Sequence, residues 1–304
     1  MRPWLVRAAW VTLPLTAGPA LASGLRGWSE SARLCGAALC WLGWAVGLVA
    51  VLAPRPAGLT ALRVVAPAGA AAAIASAASG RPSTVAAVVA VAASVAAAAL
   101  AADPAFALAA ANGVAYGDER RYPLRVPPAL FLGLLPAARA VVVVGLGAGP
   151  LLLSAGRAAE GAVALVIGVP AAVVAARALH QLSRRWVVLV PAGVVIVDRM
   201  ALADNVLFPR EHVQRMRGVA ADEPVGDVLD LRLGATLGSL LLAFDEPAEL
   251  LRAPRPRRGA ETVFAPALLV AVSYRRELLE AAAGRRVRVE VADPVRGVAR
   301  RRAP

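Results

Sequence analysis

The sequence predicts a membrane all-α helical bundle of about six spans, followed by a small, mostly β (α+β) domain. Three observations predict it. The 304 residues are 59% hydrophobic and 17% charged, against about 25% charged in ordinary soluble domains. Charge is also unevenly placed, with 13 Arg and 5 acids in residues 1–183 but 20 Arg and 15 acids in residues 184–304. Finally, near Arg184 the pattern changes from long uncharged runs to short apolar runs of period two. The expected division is a transmembrane helical domain over 1–183, a soluble domain over 184–291 and a basic disordered tail over 292–304.

A helix needs about 20 mostly apolar residues to cross a bilayer core of ~30 Å. Leu34–Ala53 and Thr84–Ala102 meet this without a charge. Val64–Gly80 meets it if Arg63 snorkels and the helix begins earlier. Ala8–Leu25 is apolar but carries Pro14 and Pro19, while Ala140–Gly156 and Gly161–Ala176 lie between charged residues. With their flanks, the spans fall near 8–25, 34–53, 60–80, 84–102, 134–156 and 161–182. The first also admits a signal-peptide reading, since Arg2 and Arg7 precede it and Ala20-Leu21-Ala22 has the form of a cleavage site.

All cationic side chains are arginine, so the net charge of +13 holds at any physiological pH. With the N-terminus inside, inner segments carry Arg2, Arg7, Arg55, Arg63, Arg120, Arg121, Arg125, Arg177, Arg184 and Arg185, and outer ones only Arg26, Arg33, Arg81 and Arg157. This bias predicts a multi-pass protein of the inner (plasma) membrane with both termini cytoplasmic.

Beyond Arg184, Trp186–Val190 and Val194–Val197 flank a Pro-Ala-Gly turn and read as a hairpin. Asn205–Phe208, Val228–Leu233, Leu240–Phe244 and Leu268–Ser273 read as further strands, and residues 245–261 as a charged, Pro-containing insertion. Tyr274–Ala283 reads as a helix with Ser273 at its N-cap, and Val287, Val289 and Val291 as an edge strand.

The stretch Arg-Arg-Trp-Val-Val-Leu-Val-Pro-Ala-Gly-Val-Val-Ile-Val (184–197), then Leu-Phe-Pro-Arg-Glu-His-Val-Gln-Arg-Met (207–216), resembles the opening of bacterial PH-like domains. There a hairpin follows a membrane helix, and a late helix follows the last long strand. The wider layout, with Tyr116-Gly117-Asp118-Glu119-Arg120-Arg121 before the fifth span, resembles multi-pass membrane proteins of high-G+C Gram-positive bacteria. The resemblance implies a cytoplasmic interaction module at the membrane and transfers no catalytic residue.

Other motifs have simpler readings. Gly145, Gly147 and Gly149 after Val141–Val144 imitate a dinucleotide-binding turn, but Pro150 stands where its third glycine belongs, and helix packing explains them better. Gly43 and Gly47 make a small-residue step read as packing within the monomer. Cys35 and Cys40 lie on different sides of one helix and cannot pair. His180 and His212 lack partners at ligand spacing, so neither a metal site, a cofactor site nor a hydrolytic triad is expected.

Candidate lipid or partner contacts are Arg252, Arg255, Arg257 and Arg258, with Arg184 and Arg185 at the membrane exit; a second cluster lies at the tail, with Arg285, Arg286, Arg288, Arg296, Arg300, Arg301 and Arg302. Facing the cytoplasm, such arginines attract anionic headgroups at about 1 kcal/mol each. Nucleic acid is not expected, because no aromatics interleave. Arg139 is the candidate intramembrane polar residue. It lies near the midplane if its span begins at Ala129 and at the interface if near Ala137, with Asp118 and Glu119 the nearest acids in sequence. The expected function is therefore non-enzymatic: a membrane-anchored scaffold or interaction module with an unknown protein partner. The alternative is a transporter or channel component with a polar path at Arg139.

Overall fold

The computed structural model describes residues 3–131, 133–221, 223–254 and 259–290. They fall into two units, one within Met1–Val114 and Leu130–Ser183, the other within Ala115–Ala129 and Arg184–Pro304.

Small polar residues and prolines set the helix boundaries of the first unit. The chain runs α1 (Pro3–Thr16), α2 (Gly18–Gly24) with a 3-10 turn to Gly27, α3 (Glu30–Leu52), α4 (Pro56–Ala78), α5 (Thr84–Ala102) and α6 (Pro104–Asn112). After an excursion into the second unit come α7 (Pro128–Phe131), α8 (Leu134–Ser154) and α9 (Ala158–Leu182). Ser29 and Ser83 cap α3 and α5, and Asp103 Oδ1 accepts from Ala105 N at 2.6 Å ahead of Pro104 at the first turn of α6.

Among the described residues, five helical stretches are long and apolar enough to cross a membrane, or six if α1 and α2 make one span bent by 42°. The bend falls where Pro19 cannot donate a backbone hydrogen bond. Large apolar side chains such as Val85, Val166 and Ile167 point outward, as helix faces meeting hydrocarbon require.

The third span starts at Pro56, with Arg63 inside α4 as the earlier start allows. Two elements differ from the expectation: the first span starts at Pro3 and is broken, and α6 was not anticipated because its nine residues are too short and alanine-rich to show a period.

Inside this unit, Val6, Trp10, Val51, Leu59, Leu62 and Phe106 share one core with alanines of α4, α5 and α6. The two indoles of Trp10 and Trp44 satisfy each other's helices, Trp10 Nε1 donating to Trp44 O at 2.8 Å and Trp44 Nε1 to Trp10 O at 3.1 Å. Gly47 lies so close to Trp10 that an added Cβ would sit 2.0 Å from the ring, whereas Gly43 faces open space. Glycines also form the α8–α9 seam, where a Cβ on Gly145 would approach Gly168 O to 2.3 Å.

The second unit holds two sheets. β1 (Arg120–Pro123), β2 (Trp186–Val190), β3 (Gly193–Val197) and β4 (Val206–Pro209) form an antiparallel sheet in that order. β5 (Val213–Gly218), β6 (Leu229–Asp230), β7 (Ser239–Arg252), β8 (Glu261–Ala271) and β9 (Val289–Glu290) form the other, in the order β6-β8-β7-β5-β9. Between β8 and β9 runs α10 (Arg275–Gly284). Leu240, Leu241 and Leu242 are all buried, so β7 is covered on both faces.

Here too the chain departs from its sequence reading. The 115–129 loop belongs to this unit, because β1 pairs with β2, Leu124 N donates to Arg185 O and Arg125 N to Ala271 O. Residues 245–261 are largely no insertion: β7 and β8 extend through them, with the register shifting between Ala243 and Ala248 opposite Pro266. A bulge is where a strand tolerates proline. Strand 228–233 shrinks to Leu229–Asp230, since Leu233 turns to φ +53° before Gly234. Val213–Gly218, unassigned in the sequence, is a strand, and α10 begins after Tyr274 without a side-chain cap. Val291 and the tail lie outside the described residues.

Candidate functional site

The arginines singled out in the sequence have different fates. Arg185 is corrected outright: it is no surface contact but 3% exposed, gripping Asp198 through Nε–Oδ1 and Nη2–Oδ2, both at 2.7 Å. Its Nη1 donates to Arg125 O at 3.1 Å, so the guanidinium ties β2 to the 115–129 segment. Burial of a permanent charge demands such a partner. Arg184, next to it, is exposed. Arg252 ends β7 half-buried, opposite Glu261 and bridged to Leu202, and Arg255, Arg257 and Arg258 lie outside the described residues.

A groove of about 400 Å³ gathers arginines that sequence spacing keeps apart. Its lining is Asp118, Pro191, Arg210, Gly284, Arg285 and Arg286. The β2–β3 turn contributes Pro191, and the residue after β4 contributes Arg210, whose backbone N donates to Ala192 O at 3.0 Å. The end of α10 contributes Arg285 and Arg286, the latter at φ +63°. Arg285 Nη2 donates to the backbone O of Asp118. Its Nη1 is buried with no hydrogen-bond partner, and an orphaned guanidinium N–H is an open donor for an anion. Arg285 and Arg286 were visible as a charge run, but Arg210 carried no signal because the sheet pairing alone brings it there.

The acids before β1 are engaged. Glu119 accepts from Arg121 Nη2 at 2.8 Å, which holds its carboxyl below the usual glutamate range. The Arg121 guanidinium also lies 5.0 Å from the centre of the Trp186 ring. Tyr122 is buried with Oη donating to Glu277 O at 3.3 Å, and burial pushes its phenol up.

In the helical unit, Arg139 is the sixth residue of α8, about 7.5 Å from its start at ~1.5 Å per residue. That lies between the two depths the sequence allowed. It falls on the stripe of the buried Leu135 and Val142, and its Nε is buried without a hydrogen-bond partner. Arg63 lies on α4, which packs on α8. One turn before Arg63, Thr60 Oγ1 is 3.3 Å from His180 Nδ1 and 3.1 Å from Ser183 Oγ. This contact was not foreseen, because it joins α4 to the end of α9, 120 residues on.

No group of three or more His, Cys, Asp or Glu able to hold a metal occurs among the described residues. The fold is thus that of a chain with several helices long and apolar enough to span a membrane, joined to a sheet-rich second unit. No protein-family model, curated protein or solved structure matches it.

Proposed function

We propose that the protein is a membrane-anchored scaffold or interaction module of the plasma membrane. Its second unit is a PH-like domain that engages anionic headgroups or an acidic protein partner at the cytoplasmic face. The observation that carries this reading is the groove of Arg210, Arg285 and Arg286 with its unpartnered guanidinium N–H. Two antiparallel-rich sheets followed by a helix support the PH-like reading, and the arginine bias of the short loops supports the cytoplasmic orientation. A transporter reading draws support from the inward placement of Arg139.

A reporter fused after Pro304 is expected to read cytoplasmic. The full chain, purified in mild detergent, is expected to retain an anionic lipid or protein that Arg210→Gln/Arg285→Gln/Arg286→Gln releases. A reporter signal from the opposite side overturns the orientation, and identical co-purifying species from both forms overturn the groove.

A further inference from the structure

The second unit carries exposed apolar side chains at one end of its sheets. The loop 231–238, between β6 and β7, presents Leu233 and Leu237, the latter 67% exposed. Its backbone is shaped to project, with Leu233, Gly234 and Gly238 at φ +53°, +88° and +74°. Met200, also exposed, follows the exit of β3.

A series of contacts places these tips at the same end. Met200 N donates to Asp198 Oδ1, Asp198 grips Arg185, and Arg185 Nη1 donates to Arg125 O. A Cβ on Gly238 would lie 3.1 Å from Arg125 Nε. Val272 N donates to Gly238 O, beside the bond from Arg125 N to Ala271 O. Two of the links to the helical unit leave from this end. Arg125 stands three residues before Pro128, where α7 opens, and Trp186 begins β2 four residues after Leu182 ends α9. Four residues reach at most about 14 Å. The groove lies at the opposite end of the β1–β2 pair, where Asp118 precedes Arg120 and Pro191 follows Val190.

Cations surround the tips. Arg125, Arg184 and Arg199 make no ion pair among the described residues. The nearby acids are taken: Asp230, at the foot of the loop, pairs with Arg232 at 2.7 Å, and Asp198 with Arg185. Apolar tips ringed by arginines match a bilayer interface, where acyl chains accept the tips and phosphates lie above them.

We infer that Met200, Leu233 and Leu237 dip into the surface of an anionic bilayer, with Arg125, Arg184 and Arg199 on its phosphates. The second unit is then held to the membrane by its own surface as well as by its links. This rests on the reading of the helical unit as membrane-spanning, and none of these residues lines the groove.

The test uses the full chain with Cys35→Ala/Cys40→Ala and a bimane probe on Thr236→Cys, an exposed position beside Leu237. It is reconstituted in nanodiscs of phosphatidylcholine and phosphatidylglycerol in equal parts, which leave both faces open. A probe sunk about 5–10 Å into the interface is expected to be quenched by lipids bearing a nitroxide near the headgroup and shielded from iodide. Leu233→Ser/Leu237→Ser, both at exposed positions, should cut the lipid quenching at least about twofold. Phosphatidylcholine alone should weaken it as well. The same probe on Val95→Cys, exposed in the middle of α5, is read with a nitroxide at the acyl-chain end. No quenching there overturns the membrane reading and this inference with it. Quenching at 95 with iodide access and no lipid quenching at 236 overturns the loop contact alone. Lipid quenching at 236 that survives the serine substitutions, or is as strong without phosphatidylglycerol, overturns it too.

Discussion

Arg185 and Asp198 form a two-point ion pair, 2.7 Å at each contact, with side chains 3% and 0% exposed. Met200 N also donates to Asp198 Oδ1 at 3.1 Å, so the carboxylate holds the exit of β3 as well. Removing one member leaves the other charged and buried. Arg185→Leu is expected to cost about 3–5 kcal/mol, while Arg185→Met/Asp198→Leu costs far less. Thermal unfolding of the purified chain measures both. Equal losses in the single and double variants would show that the pair is not an isolated electrostatic unit.

The 115–129 segment supplies an edge strand and the acceptor for Arg185. A fragment comprising residues 184–304 is therefore expected to melt lower and expose more apolar surface than the same fragment preceded by 115–129 through a Gly/Ser linker. Circular dichroism melting and dye binding compare the two. Identical melting curves would remove the segment from the folding unit.

The stability of the second unit should depend on pH at both extremes. The hydrogen bond from Arg121 holds the Glu119 carboxyl low, and that from Arg217 does the same for Glu223. Depressed values contribute stability that is full above the unfolded glutamate value of about 4.3 and lost as pH falls through the folded one. Tyr122 runs the other way: burial raises it, so its contribution is full below about 10 and lost as pH rises through the folded value. Arg121→Gln is expected to flatten the acid limb of melting temperature against pH, and Tyr122→Phe the alkaline limb. Either substitution acting on the opposite limb contradicts the assignment.

Two glycines of similar sequence context should behave differently. A Cβ on Gly145 meets the backbone O of Gly168 at 2.3 Å, which only a separation of α8 from α9 relieves. Gly145→Ala is expected to destabilise by about 1–3 kcal/mol. Gly43→Ala, with nothing within 4 Å, should be neutral or slightly stabilising. Melting in detergent checks the pair, and a harmless Gly145→Ala would mean that the seam is looser than its geometry.

What the sequence determined by itself is local. Uncharged runs such as Leu34–Ala53 and Thr84–Ala102 had to be helical, because an apolar stretch of that length must satisfy its backbone internally. Thr84–Ala102 keeps both its ends as α5, and Leu34–Ala53 lies within α3 but for Ala53. The β-branched runs around Pro191 had to pair across their turn, as Trp186 does with Val197. The tertiary structure alone decided which residues meet. Arg185 looked like its exposed neighbour Arg184, and only the pairing of β1 with β2 and the position of Asp198 turn it inward. Arg210 lines one groove with Arg285, and Thr60 meets His180, across 75 or more residues of chain. Charge runs and periods register neighbours along the chain, whereas these encounters arise from strand pairing and close helix packing between distant segments.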